Sequence, residues 1–381
     1  TGKAEAEQKI SDAEQELADA FMAQHSDIKV NVEIIDFTSG ADALTSAITA
    51  GTAPDVLFDA PGRIIEYGNA GNLVPLDDMI EELKSDLSSE SLLETCVGAD
   101  GSYYMYPLSS SPFYMGLNKE MLEEANALQY VNLEGDRTWT TDNFVKMCEA
   151  LRDSGVCQTP GIVYCGASGG DQGTRALVNN LYSSSIVGED GSWNVDANGV
   201  KALELLKSMY DSKALDAGFS MAAADELQQF QQETCAMTFC WGTSNAISYA
   251  SEDYTQISVP FPSDDGVPEL EYLVNGFCVF DNGDADRIQA AKDFIRFIYT
   301  DDELMNYALG TLPVNQSVIR EHKGEIRMLQ EYGGNMANSV DNIRNSLGWQ
   351  GVRDVFYKNI QNLLRGNRTP EETAADIDDS C

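Results

Sequence analysis

Histidine is scarce in this chain of 381 residues, where His25 and His322 are the two present. A serine triad therefore has little to choose from for its base. Basic residues are also few, 24 against 62 acidic ones, and a net charge of -38 repels nucleic acid and anionic lipid headgroups alike. No apolar run approaches the roughly 18 residues that would mark a membrane span. The eight cysteines include no C-x-x-C pair, which removes the common zinc and dithiol motifs, and no metal site is expected. No P-loop, dinucleotide fingerprint, internal repeat, low-complexity tract or Pro/Gly-rich linker is found, and no cofactor is expected.

What the chain does contain is apolar enough for a globular protein, 43% hydrophobic and 9% aromatic. Its length exceeds what one compact core encloses, so two lobes are expected. The acidic excess reads first as a solvated surface, with the docking of a basic partner as the alternative. Most cysteines lie in apolar runs such as "GIVYC" and "CAMTFC", where a free thiol behaves as a small buried hydrophobe. A protein with so many free thiols works in the cytosol or in an anaerobic exterior.

Ile10, Leu17 and Phe21, with Ala13 and Ala20 on the same face, predict an N-terminal helix. "DIKVNVEIID" alternates as a strand does. A helix at "ADALTSAITA", a strand at "DVLF" and a helix at "RIIEYGNAG" follow, which argues for an α/β lobe with a largely parallel sheet. From Trp139 to Tyr249 the pattern is helix-rich, with short strands at "GIVYC" and "CAMTF". "QISVPFP" and "YLVNGFCVF" return to the first architecture, and a helical tail runs from about Asn315. A lobe that is left and revisited implies several short crossings, which act as a hinge.

Candidate chemistry is sparse. "GASGG", Gly166 to Gly170, matches the G-x-S-x-G nucleophile elbow between a strand and a helix, so a serine hydrolase on Ser168 is one reading. Against it, the available downstream histidine, His322, lies in the charged stretch "IREHKGEIR". "DNGDAD", Asp281 to Asp286, departs from a calcium loop at the sixth and twelfth positions and reads as a turn capping the helix "RIQAAKDFIRFIY". Trp139 precedes a threonine cap and reads as a staple, and Trp193 sits in a hairpin-like turn. Trp241 stands at a strand end and Trp349, in "SLGWQGVRDV", at a helix entrance. From position alone, each of these two is either a core plug or a stacking platform.

Several blocks assemble in order along nearly the whole chain: "AGTAPDVLFDAPGRIIEYGNAGNLVPLDDMI", "DGSYYMYPLSSSPFYMGLNKEML", "ETCAMTFCWGTSN", "GTLPVNQSV" and "GNRTPEETAADI". In these the chain resembles the family 1 extracellular solute-binding proteins, the carbohydrate receptors of ABC transporters that include the maltose-binding protein. The resemblance implies an α/β, two-lobe periplasmic-binding-protein fold of type II that closes on a sugar. Its lobes would be 1–108 plus 261–310 and 112–258 plus 314–381, with crossings near 108–112, 258–261 and 310–314. Family members carry a strand before the first helix, and here the chain starts almost at that helix.

The same resemblance implies a ligand site. Trp349 and Arg353 fall where the maltose-binding protein has a stacking tryptophan and a nearby arginine, and Arg63 matches an arginine that bonds sugar hydroxyls. Asp59 stands in place of a stacking tryptophan and Ser111 in place of a glutamate, which points away from maltose itself. Trp241 sits slightly before another aromatic platform, and Ser110, Asn275 and Thr243 complete the candidate set. Indoles cover the C–H face of a sugar ring, while Asp, Asn or Arg satisfies hydroxyls that would otherwise be buried unpaired. That resolves Trp349 towards platform. The expected protein is a monomeric, lipid-anchored receptor on the outer face of a Gram-positive cell membrane. It would be no enzyme, and would pass a saccharide to membrane permease subunits. A polyamine or small acid is the alternative ligand.

Overall fold

Two units account for the internal contacts of the chain, residues 1–110 with 274–327 and residues 111–273 with 328–381. The computed structural model describes residues 14–35, 40–88, 90–134, 137–167, 170–184, 194–222, 225–242, 245–246, 249–266, 272–300, 312–322 and 349–379, for a few of them the backbone alone.

The first unit contains a four-stranded sheet in the order Val56–Asp59, Tyr272–Val279, Tyr106–Pro112, Leu312–Pro313. Val56–Asp59 runs antiparallel to Tyr272–Val279, with Asp59 opposite Gly276, and Ser110 lies opposite Leu312 in a second antiparallel pair. The expected largely parallel sheet is therefore corrected. A parallel neighbour would arrive through a strand–helix–strand crossover, whereas Val56–Asp59 takes its partner from a strand more than 200 residues away.

Helix Pro61–Asn69 begins with a proline, whose missing N–H and fixed φ suit a first turn. Its Gly68 lies against the Tyr104 ring, where an added Cβ would come within 2.5 Å of ring carbons. Helix Ala285–Ile298 is capped as expected from "DNGDAD": the Asp284 carboxylate accepts the amides of Asp286 and Arg287 at 3.1 and 3.3 Å. It pairs with helix Asp77–Leu83 through Lys292–Asp78 at 2.8 Å and Arg296–Glu82 at 3.0 Å.

The strand expected at "DIKVNVEIID" is not formed over its described residues, 27–35. Burial alternates over residues 28–33, but a strand also needs a neighbour's N–H and C=O groups, and no ladder partner exists among the described residues. Ile34 and Ile35 are exposed in consequence.

The second unit has an antiparallel sheet in the order Met237–Trp241, Tyr114–Asn118, Gln256–Val259, and a parallel pair of Ile162–Tyr164 with Asp216–Gly218. The expected helices are present as Thr141–Ser154, Gln172–Leu181, Ala197–Asp211 and Asp225–Gln231. Thr140 caps the first by accepting the Asn143 amide at 3.3 Å, and Trp139 packs edge-on against Phe144 at 5.8 Å, the staple its position predicted. Phe144, Phe239, Phe261 and Phe356 are buried in one core.

Two expected crossings differ. Residues near 258–261 do not leave the second unit: Val259 and Phe261 are in its core, and Trp139 Nε1 donates to the Pro260 carbonyl at 2.7 Å. The chain instead changes unit within the strand Tyr272–Val279. Helix Gln316–Glu321, expected in the second lobe, packs with the first, where the Ser317 amide donates to Asp86 at 2.8 Å.

Cys96, Cys148, Cys165, Cys235, Cys240 and Cys278 are free and buried, and Cys157 is free and half-buried. Burial pushes the Cys96 and Cys165 thiols up to about 12, far from the thiolate form that reacts.

Candidate functional site

Asp59 ends the strand Val56–Asp59, two residues before helix Pro61–Asn69, and Arg63 lies one turn into that helix. The i, i+4 spacing lets the guanidinium reach back along the helix. Arg63 Nε donates to Asp59 Oδ2 at 2.5 Å, Nη2 donates to Oδ1, and the Ala60 amide donates to Oδ1 at 2.7 Å. The Arg63 and Asp59 side chains are 12% and 9% exposed, so the pair is shielded but reachable. Burial alone would lower the Arg63 pKa, but the hydrogen-bonded Asp59 carboxylate outweighs it and the group ends above its ordinary value. One further turn along, burial raises the Tyr67 hydroxyl, with Arg63 acting in the opposite direction.

The remaining first-unit candidates are dispersed. Ser110 is buried within its strand. Asn275 is half-buried, and the pleat sends it to the face of Phe277 and Phe58, while Asp59 shares the other face with Leu57. Phe58 was not foreseen as a site residue. It is 37% exposed beside Asp59, its ring 4.8 Å from that of Phe277. An apolar residue in a continuous apolar run carries no signal that its side will be left open.

In the second unit the expected platform Trp241 is corrected. Its indole is fully buried, packs edge-on against Phe230 at 5.3 Å and donates from Nε1 to Ser258 Oγ at 3.1 Å. A ring enclosed on both faces cannot stack on a ligand. Trp349 opens helix Trp349–Leu364 and Arg353 follows four residues on. The side chains of Trp349, Arg353 and Ser111 lie outside the described residues, as do Thr243, Trp193 and Ser168 altogether. His25 stacks on Phe21 at 4.3 Å in the first unit, and His322 belongs to that unit too.

The second unit also buries charge that the sequence reading passed over. Asp171 precedes helix Gln172–Leu181 and is ion-paired with Arg175, again at i, i+4 after a strand. Gln172 Nε2 donates to Cys240 Sγ at 3.4 Å. The carboxylate of Glu226 accepts from Thr238 Oγ1 at 2.6 Å and from the Phe239 amide at 2.8 Å. Among the described residues, no group of three or more His, Cys, Asp or Glu could hold a metal ion. No helix among them is long and apolar enough to cross a membrane.

Residues 16–328 match the model of the bacterial extracellular solute-binding proteins, and the chain belongs to that family. Its mixed α/β fold is that of the GacH receptor of Streptomyces glaucescens, with a TM-score of 0.77 at 18% identity over 97% of this chain and 94% of that one. UgpB from Mycobacterium tuberculosis is similar to the same degree, with a TM-score of 0.77 at 18% identity over 97% and 94% of the two chains. Brucella abortus has a binding protein 25% identical over 232 residues, 58% of this chain. The match spans about half of that relative's length, 53%.

Proposed function

We propose that this chain is an extracellular receptor that captures a sugar or oligosaccharide and delivers it to the permease of an ABC transporter. The observation that carries this reading is the shielded Asp59–Arg63 pair at a strand end, in a chain of the solute-binding family. Arginine and aspartate together supply the donors and acceptors that sugar hydroxyls require, with Trp349 as the stacking surface. GacH is described in complex with acarbose, an indication of the ligand class that this fold accommodates. Capture and delivery use no nucleophile and no tuned base, which favours a binder over an enzyme; the same reading makes it a monomer anchored by lipid on the outer face of a Gram-positive cell membrane.

UgpB is described with glycerophosphocholine, so a solute that is no sugar is the second reading. Calorimetry and thermal shift against mono- and oligosaccharides, polyamines and small acids separate the two, because a ligand that binds the folded state raises its melting temperature. At least one saccharide is expected to bind saturably and without turnover. Tight binding of a polyamine or small acid, with no response to any sugar, overturns the ligand class.

A further inference from the structure

Arg63 grips both oxygens of the Asp59 carboxylate, and the Ala60 amide holds the same group from the helix start. A shielded guanidinium with no counter-ion is a strong anchor for carboxylates and phosphates, which it meets with two parallel hydrogen bonds. Here that position is already occupied by a side chain of the protein itself. The pair keeps the donors and acceptors of both groups in place while bringing its net charge to zero. We infer that Asp59 is a specificity-determining residue, a built-in counter-ion that occupies the place an anionic ligand group would take on Arg63 and so reserves the site for uncharged polyols.

This rests on the saccharide reading above and adds the ligand's charge to it. Cations gain nothing from Asp59, whose charge Arg63 already compensates. Anions also meet the field of a chain whose net charge is -38. The i, i+4 geometry fixes the partner as well as the charge. A carboxylate held on two edges cannot turn away to admit a competitor without losing three hydrogen bonds.

The test is calorimetry with matched disaccharide pairs: maltose, cellobiose, laminaribiose and galactobiose, each with its form oxidised to a uronic acid at C6. Wild type is expected to bind the neutral member of a pair at least about tenfold more tightly than the acid. Asp59→Asn removes the carboxylate charge that the guanidinium holds, and the preference should narrow by about tenfold or reverse. The double variant Asp59→Asn/Arg63→Gln should lose that gain for the acid, which a merely loosened site would not do. Ligand-free melting curves establish that both variants fold. The inference is overturned if wild type prefers the acid, if Asp59→Asn leaves the ratio unchanged, or if the gain persists in the double variant. Wild type that binds no member of any pair and no other sugar of the mono- and oligosaccharide panel overturns the saccharide reading and this inference with it.

Discussion

Thr238 donates its hydroxyl to Glu226 Oε1 at 2.6 Å in the core of the second unit, and the Phe239 amide donates to the same oxygen at 2.8 Å. Burial raises the Glu226 pKa to about 7, with these two hydrogen bonds opposing the rise. The unfolded chain holds this group near its ordinary 4.5, so the folded state binds the proton more tightly. Stability is then fullest below the unfolded pKa and is lost as pH rises towards and through the folded one. The loss between pH 4.5 and pH 8 should be about 3 kcal/mol. Urea unfolding of wild type and Glu226→Gln across that range checks it. The variant is expected to gain on wild type as pH rises, and a difference that does not change with pH refutes the assignment.

Trp241 is expected to behave as a core residue. Trp241→Ala should cost about 3–5 kcal/mol of stability in ligand-free unfolding, because the cavity left between Phe230 and its neighbours cannot close fully. Trp241→Phe keeps the ring contact but loses the hydrogen bond to Ser258, and should cost much less. Unchanged stability together with lost saccharide affinity in Trp241→Ala would restore the platform.

Trp349 should give the opposite result if it stacks on a ligand, as we propose. Trp349→Ala is expected to leave ligand-free unfolding nearly unchanged and to weaken saccharide affinity by about 2 kcal/mol, roughly thirtyfold. A collapse in stability, or an affinity within about threefold of wild type, assigns the residue to the core instead.

The helices were legible because their signals are local. Thr140 followed by a helical pattern and the Asp281 to Asp286 turn each mark a helix start within a few residues of chain. The Asp59–Arg63 contact was half-legible. Both residues were singled out by resemblance, and their i, i+4 spacing permits the pairing, but nothing in the spacing says that the carboxylate turns towards the helix rather than towards a ligand.

Strand partners were not legible for a different reason. The alternation in "DIKVNVEIID" shows which side chains would share a face, yet a strand exists only where another segment supplies its ladder. Val56–Asp59 finds that ladder in Tyr272–Val279, while residues 27–35 have none among the described residues.

The sequence by itself determined the α/β class, the helix starts, the burial of cysteines in apolar runs and the resemblance to extracellular solute-binding proteins. These follow from composition, short-range periodicity and the order of motifs. Tertiary structure alone decided that Trp241 is enclosed, that Phe58 is left open, and that Pro260 stays with the second unit beneath Trp139. Each of those depends on which distant segment covers a side chain. Phe230, from helix Asp225–Gln231, closes over the Trp241 ring, and no spacing within "CAMTFCW" could announce it.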